Sequence, residues 1–200
     1  MNKVNFQLEL DKIIARLEGR PKLLLHSCCG PCSSYVLEYL TKYFDVYLSY
    51  YNPNIQPLEE YDKRLENQRI VLEHIPGVTL VPCGYDGEDY DSAVRGLESE
   101  PEGGARCAVC FRLRLDFAAR EAKRLGCEYC CTTLTVSPHK NAQLINALGE
   151  SICAKYGVKW LPGDFKKRDG YKRSIELSNE YGLYRQNYCG CLYSKARQNG

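Results

Sequence analysis

No stretch of this 200-residue chain stays apolar for anything near the ~20 residues that a membrane-crossing helix requires. The opening MNKVNFQLELDKII lacks the charged, apolar, then small order of a secretory leader; it is amphipathic and predicts an N-terminal helix in a cytoplasmic protein with reduced thiols. A GxGxxG sequence is missing, so no nicotinamide or flavin bound through that fingerprint is expected. Internal repeats, linkers and low-complexity segments are missing too, and one domain over residues 1–200 is long enough to bury a core without covalent staples. Net charge is low, at +2, which alone argues against a nucleic-acid partner.

The charge is unevenly spread. Residues 1–100 carry 10 Lys and Arg against 16 Asp and Glu, whereas residues 101–200 carry 17 against 9. A basic face made by the C-terminal half follows, densest at Lys166, Lys167 and Arg168, with Tyr171, Lys172 and Arg173 close behind. Cations beside an aromatic suit a surface that tracks phosphates, although a solvated helix face has the same composition.

What the chain has in abundance is cysteine, twelve in all. A secreted disulfide scaffold, a structural zinc protein and a cytosolic cluster enzyme all use thiols at this density, and the scaffold is disfavoured by the missing leader and the size of the chain. CxxC spacing occurs at Cys29 to Cys32, Cys107 to Cys110 and Cys127 to Cys130. Cys127, Cys130 and Cys131 open an apolar strand and, with Cys83 and Cys153, read as small core hydrophobes. Zinc knuckles usually close loops of ~15–20 residues between pairs, whereas Cys29 and Cys107 stand 78 positions apart. Adjacent Cys28 and Cys29 present two sulfurs from one turn, which suits a cluster with several metal corners at least as well as one tetrahedral ion. The residues alone leave iron–sulfur and zinc both open. Cys189-Gly190-Cys191 reads as a strained, labile disulfide, as two further ligands or as a frayed tail.

Periodicity predicts strands at 23–25, 46–51, 78–81, 128–134 and 159–161, and helices at 33–44, 57–74, 89–97, 111–125, 141–156 and 171–181, with Ser33 or Ser34 capping the first of these helices. Strands separated by such helices give an α/β fold, a mostly parallel sheet with helices on both faces. Ligands in such folds sit beyond the carboxyl ends of the strands, where Cys28–Cys32, Asn52–Asn54, Cys83 and Thr133–His139 all fall, and one crevice is expected to gather them.

The residues that carry these signals resemble one family. Leu24-Leu25-His26-Ser27-Cys28-Cys29-Gly30-Pro31-Cys32, Tyr51-Asn52-Pro53-Asn54-Ile55 with Glu60, Tyr61 and Arg64, Arg106-Cys107-Ala108-Val109-Cys110 with Arg112 and Leu113, Thr133 to Asn141, and Tyr188-Cys189-Gly190-Cys191 are similar to the epoxyqueuosine reductases of the QueH type, from about residue 22 to 195. Gly30 stands where that family's pattern has alanine. The resemblance implies a fold like the adenine-nucleotide α-hydrolase and PP-loop group, with cysteines where a phosphate loop would lie and no SGGxDS-like sequence for ATP. It implies reductive removal of the epoxide oxygen from epoxyqueuosine at the wobble base of a tRNA, driven by a separate electron donor. It further implies a 4Fe–4S cluster on Cys28, Cys29, Cys107 and Cys110, a redox-active disulfide between Cys189 and Cys191, and Cys32 as a ligand or contact for an adjacent mononuclear iron.

That chemistry consumes two electrons and two protons, and His26, His139, Asp164 and Tyr188 are the titratable groups expected near the crevice. Asn52 and Asn54 read as turn formers around Pro53. Lys166, Lys167, Arg168, Lys172 and Arg173 are the expected grip on anticodon-stem phosphates. A thiol–disulfide oxidoreductase without iron and a zinc-stabilised RNA-binding module are the competing readings.

Overall fold

The structure, a computed structural model, describes residues 4–196, so the outermost residues of the expected 1–200 domain lie outside it. Strands β1 Lys22–His26, β2 Asp45–Ser49, β3 Thr79–Val81, β4 Tyr129–Thr132 and β5 Lys159–Trp160 form one sheet in the order β3-β2-β1-β4-β5. Every neighbouring pair is parallel, which obliges each connection to cross over a face of the sheet. The crossovers and ends are helical: α1 Phe6–Ile14, α2 Gly30–Leu40, α3 Leu58–His74, α4 Gly87–Ala93, α5 Ala105–Arg124, α6 Ala142–Tyr156, α7 Gly170–Glu180 and α8 Leu192–Ala196.

Alternation along the strands divides the interior in two. Leu23 and Leu25 of β1 join Leu10 of α1, Val36, Leu37 and Leu40 of α2 and Val71 of α3. Leu24 turns to the opposite face, against Phe111, Leu115 and Ala118 of α5 and Ile145 and Ile152 of α6. A strand covered on both sides needs apolar residues at successive positions, which accounts for the Leu23-Leu24-Leu25 run. In β4 Cys131 packs on the first face and Cys130 on the second, with Cys127 and Cys153, so these four thiols are core residues as expected.

Element boundaries depart from expectation where polar or metal-binding residue types occupy a buried turn. Helix α2 begins at Gly30 rather than Ser33, with Pro31 preset for the first turn and extended Cys29 at the cap. Ser33 and Ser34 therefore lie inside the helix, where their hydroxyls turn back to the carbonyls of Gly30 and Pro31, and the Ser33 hydroxyl also meets Gln68 Oε1 at 2.8 Å. Helix α5 starts at Ala105, not Phe111, because its first turns bury Arg106, Cys107 and Cys110, which an apolar count passes over. Strand β4 stops at Thr132, whose side chain accepts the Leu134 N–H at 3.2 Å and starts a 3-10 turn over Thr133–Val136.

Two contacts fix the crevice. Gly30 lies so near α3 that a Cβ there would sit 2.7 Å from the Asn67 carbonyl oxygen, which explains glycine at that position. Arg114 of α5, 1 % exposed, donates through Nη2 to Asn52 Oδ1 at 2.5 Å and through Nε to His26 Nε2 at 3.4 Å, with Nη1 3.9 Å from Cys110 Sγ. Asn52 in turn donates to the Ser27 carbonyl at 2.8 Å, and His26 Nδ1 meets Thr132 Oγ1 at 2.9 Å. One buried guanidinium thus ties the ends of β1, β2 and β4 to α5. Burial opposes its charge, but the sulfurs of Cys110, Cys28 and Cys189 outweigh that cost and hold Arg114 above the usual guanidinium pKa.

Gly30→Ala forces backbone apart and is expected to cost about 1–3 kcal/mol. Arg114→Met strips Asn52 Oδ1 of its buried donor, for a similar expected loss of about 1–3 kcal/mol. Thermal unfolding of the metal-free protein measures both, at about 2–4 °C per kcal/mol for a domain of this size. An unaltered Tm in either variant would contradict the corresponding contact.

Candidate metal centre and redox cleft

The strand order reverses between β1 and β4, so the turns that follow these two strands open outward from the sheet together. A cleft of about 450 Å³ lies there, lined by Cys28, Cys29 and Cys32 on one side and by Lys140, Tyr188 and Cys189 on another. The sulfurs of Cys28, Cys29 and Cys32 lie within 4.8 Å of one another, and among the described residues theirs is the one His, Cys, Asp or Glu group of metal-binding closeness. Cys29 caps α2 and Cys32 follows in its first turn, where the unpaired N–H groups favour negative charge on sulfur. Hydrogen bonds from Cys29 and Cys32 hold the Cys28 thiol well below its ordinary pKa against the cost of burial, helped by Arg114 and by Thr133 Oγ1 at 3.3 Å. The same sharing pushes Cys29 up to about 12. Cys28 is thus the most acidic of the three, and the three sulfurs together make a donor set suited to a soft metal centre.

Cys107 and Cys110 rise from the first two turns of α5 and stand outside that tight group. Cys107 packs in the same apolar cluster as Cys28, and its sulfur accepts the Gly103 N–H at 3.2 Å. Burial pushes the Cys110 thiol up to about 11 despite the Arg114 cation beside it.

The C-terminal tail reaches the cleft by a clamp. Arg64 of α3, 2 % exposed, pairs with Glu60 at 2.7 Å and donates to the carbonyls of Cys189 at 3.2 Å and Tyr188 at 3.4 Å. The Gly190 carbonyl accepts the Gln56 N–H at 3.0 Å, and Gly190 has φ +113° with Arg64 Nη1 2.9 Å from where a Cβ would stand, so only glycine fits between the two tail cysteines. The cysteines differ sharply. Cys189 lines the cleft with Lys140 Nζ 3.1 Å from its sulfur, whereas Cys191 is buried beside Tyr90 and burial raises its pKa. Burial opposes the Lys140 charge, but Cys189 and Glu102 outweigh it and keep the ammonium protonated above its usual range. All twelve cysteines carry free thiols.

Other expected residues separate clearly. His139 and Tyr188 line the cleft, the latter with Arg64 4.8 Å from its ring centre. His26 does not line it: burial and then Arg114 lower its pKa to about 3, which fixes it as a neutral structural ring. Asp164 is buried away from the lining, paired with Lys166. Asn52 and Asn54 are buried and do not line the crevice, and Cys83 lies in a separate hollow beside Tyr50 and Tyr61, at the far edge of the sheet, so the crevice gathers two of the four expected segments, residues 28–32 and 133–139. Of the basic run, Lys167 meets Asn5, Arg168 pairs with Asp11 and Arg173 with Glu38 at 2.7 Å, while Lys172 is exposed. Sequence reasoning gave no role to Arg114, Lys140 or Glu102; Lys140 lay inside a recognised segment, but nothing in its spacing pointed to a cysteine 49 positions away.

The family model described as "Epoxyqueuosine reductase QueH" matches residues 23–197. A Staphylococcus epidermidis protein named epoxyqueuosine reductase QueH is 44 % identical over 206 residues, 98 % of this chain and 87 % of that one. One of the same name from Thermotoga maritima is 39 % identical over 178 residues, 86 % and 89 %. Among solved structures, the U34-tRNA thiolase NcsA from Methanococcus maripaludis with its [4Fe-4S] cluster has the same fold, with TM-score 0.58 and 16 % identity over 94 % of this chain and 67 % of that one. With its model matched across nearly the whole chain and relatives of this closeness, the protein belongs to the QueH family of epoxyqueuosine reductases.

Proposed function

We propose that the protein is a tRNA-modifying oxidoreductase that removes the epoxide oxygen of epoxyqueuosine at the wobble position and leaves the alkene of queuosine. The observation that carries the reading is the meeting, in one cleft, of the three-sulfur turn and the Lys140-bound Cys189. Loss of the oxygen as water consumes two electrons and two protons. Cys189 and Cys191 release that number when their two thiols become a disulfide, and an external electron donor then restores the thiols.

Cys28, Cys29, Cys107 and Cys110 would hold a 4Fe–4S cluster, with Cys32 as a contact for an adjacent mononuclear iron. The all-thiol donor set, the α2 N-terminus and the buried Arg114 cation favour an anionic sulfur-ligated centre, and a protein of the same fold carries a [4Fe-4S] cluster. Such a centre, when bound, supplies single electrons and an electrophilic iron that draws charge from the epoxide oxygen. Around it the chain's own groups act: Lys140 presents an ammonium beside Cys189, and His139 and Tyr188 stand along the same wall for proton delivery. Thiols in this state belong to the cytoplasm, where reductants keep them free.

Lys166, Lys167, Arg168, Lys172 and Arg173 would meet tRNA phosphates. Their pairs with Asp11 and Glu38 are partly exposed, and pairs of that kind are worth about 0–1 kcal/mol, so a phosphate can displace the carboxylates. Exchanging these five cations for Glu is expected to weaken tRNA binding and flatten its salt dependence; an unchanged salt slope would remove this surface from the reading.

Anaerobic purification tests the centre itself. A brown protein with iron and sulfide is expected, against a colourless one holding zinc or no metal under the competing readings. Cys107→Ala is expected to lose colour and turnover together. Cys189→Ala keeps the colour and loses turnover, and bleaching of that variant would make Cys189 a ligand instead of a redox thiol.

A further inference from the structure

A second hollow of about 280 Å³ adjoins the cleft and shares Cys32, Ser137, His139, Gln186 and Asn187 with it, so the two are compartments of one trough. Three of its features have no role in the reaction. Tyr171 lines it and is 37 % exposed, one of five large hydrophobic side chains left so open among the described residues. Arg185 is anchored through Nη1 to the Ser174 carbonyl at 3.3 Å and Ser178 Oγ at 3.0 Å, and no ion pair neutralises it among the described residues. Gln186, on the wall between the compartments, has a buried Oε1 with no hydrogen-bond partner. A buried amide oxygen without a donor costs about 1–3 kcal/mol, so a group that supplies an N–H there is favoured.

An aromatic face, an unneutralised guanidinium and an amide acceptor match the three parts of a nucleotide: the plane of a base, its phosphate and an N–H on its edge. Among the described residues no carboxylate lines the hollow, which disfavours a cationic ligand, and its volume falls just below the ~300–1,000 Å³ range of drug-sized ligand sites, enough for one base. A wobble nucleoside drawn into the cleft brings its chain neighbour to this position. We propose that the hollow is a subsite for the nucleotide adjoining the modified one: its base stacks on Tyr171, its edge donates to Gln186 Oε1 and its phosphate meets Arg185. This rests on the tRNA reading above and extends it to a contact that decides affinity rather than chemistry.

The test uses the iron-loaded protein and anticodon stem–loops carrying epoxyqueuosine, intact or with an abasic residue on one side of the modified nucleotide. Tyr171→Ala is expected to raise KM about tenfold, in line with the loss of one base–aromatic stack, with kcat and iron content unchanged. Tyr171→Trp is expected to behave as wild type. An abasic residue on the stacking side is expected to raise KM for the wild type by a like factor and to have no further effect on Tyr171→Ala. Additive losses from the variant and the abasic stem–loop, or no change in KM from either, would overturn the subsite. Should the wild type bind the stem–loops yet convert none, the proposed reaction falls, and the same comparison of Kd values decides the subsite on its own.

Discussion

The Arg114 guanidinium is the constraint around which the molecule is arranged. It is buried at the point where the strand order reverses, it has no carboxylate among its hydrogen-bond partners, and its charge is offset by an asparagine oxygen and by sulfur. A cation in such a place is costly unless negative charge accompanies it, and the nearest candidates are the cysteines of the β1–α2 turn and of α5. The fold therefore sets a cluster of thiols beside a buried cation, an arrangement that favours negative charge on sulfur. Burial, aided by the same cation, keeps His26 neutral, which removes that ring from proton transfer and leaves it to hold β1 beside β4.

Around this centre the chain closes a circuit between distant segments. Arg64 on α3 holds the Tyr188 and Cys189 carbonyls that lead into the tail turn, Gly190 permits the close approach, and Lys140 meets the cleft-facing sulfur. Cys189 and Cys191 are thereby made unequal: one stands in the cleft beside an ammonium, the other in an apolar cluster with Tyr90 and Val94. For a pair one glycine apart, this asymmetry sets which sulfur faces the cleft.

Much of the architecture was legible from periodicity, since Leu23–Leu25 and the apolar faces of α5 and α6 repeat at the spacing of buried elements. The site was legible in part, because Cys28, Cys29 and Cys32 are adjacent in sequence and a turn keeps them adjacent in space. The start of α5 was hidden, as its buried first turns are Arg106, Cys107 and Cys110, residues that hydrophobicity counts as surface or neutral. Arg114 and Lys140 were invisible for a different reason: each acts on a partner dozens of residues away, and a lone cation in a sequence looks the same whether it is solvated or buried. The cation run at 166–173 was legible as charge, but the carboxylates that meet it, Asp11 and Glu38, come from the other end of the chain.

The central claim is that the β1–α2 turn and the start of α5 ligate one iron–sulfur centre. Iron and acid-labile sulfide per chain after anaerobic reconstitution, compared among wild type, Cys110→Ser and the core variant Cys153→Ser, tests it most directly. The account predicts iron and sulfide in comparable amounts in wild type and Cys153→Ser, and sulfide lost in Cys110→Ser. Full sulfide in Cys110→Ser, or a wild type that takes up zinc and no sulfide, would contradict it.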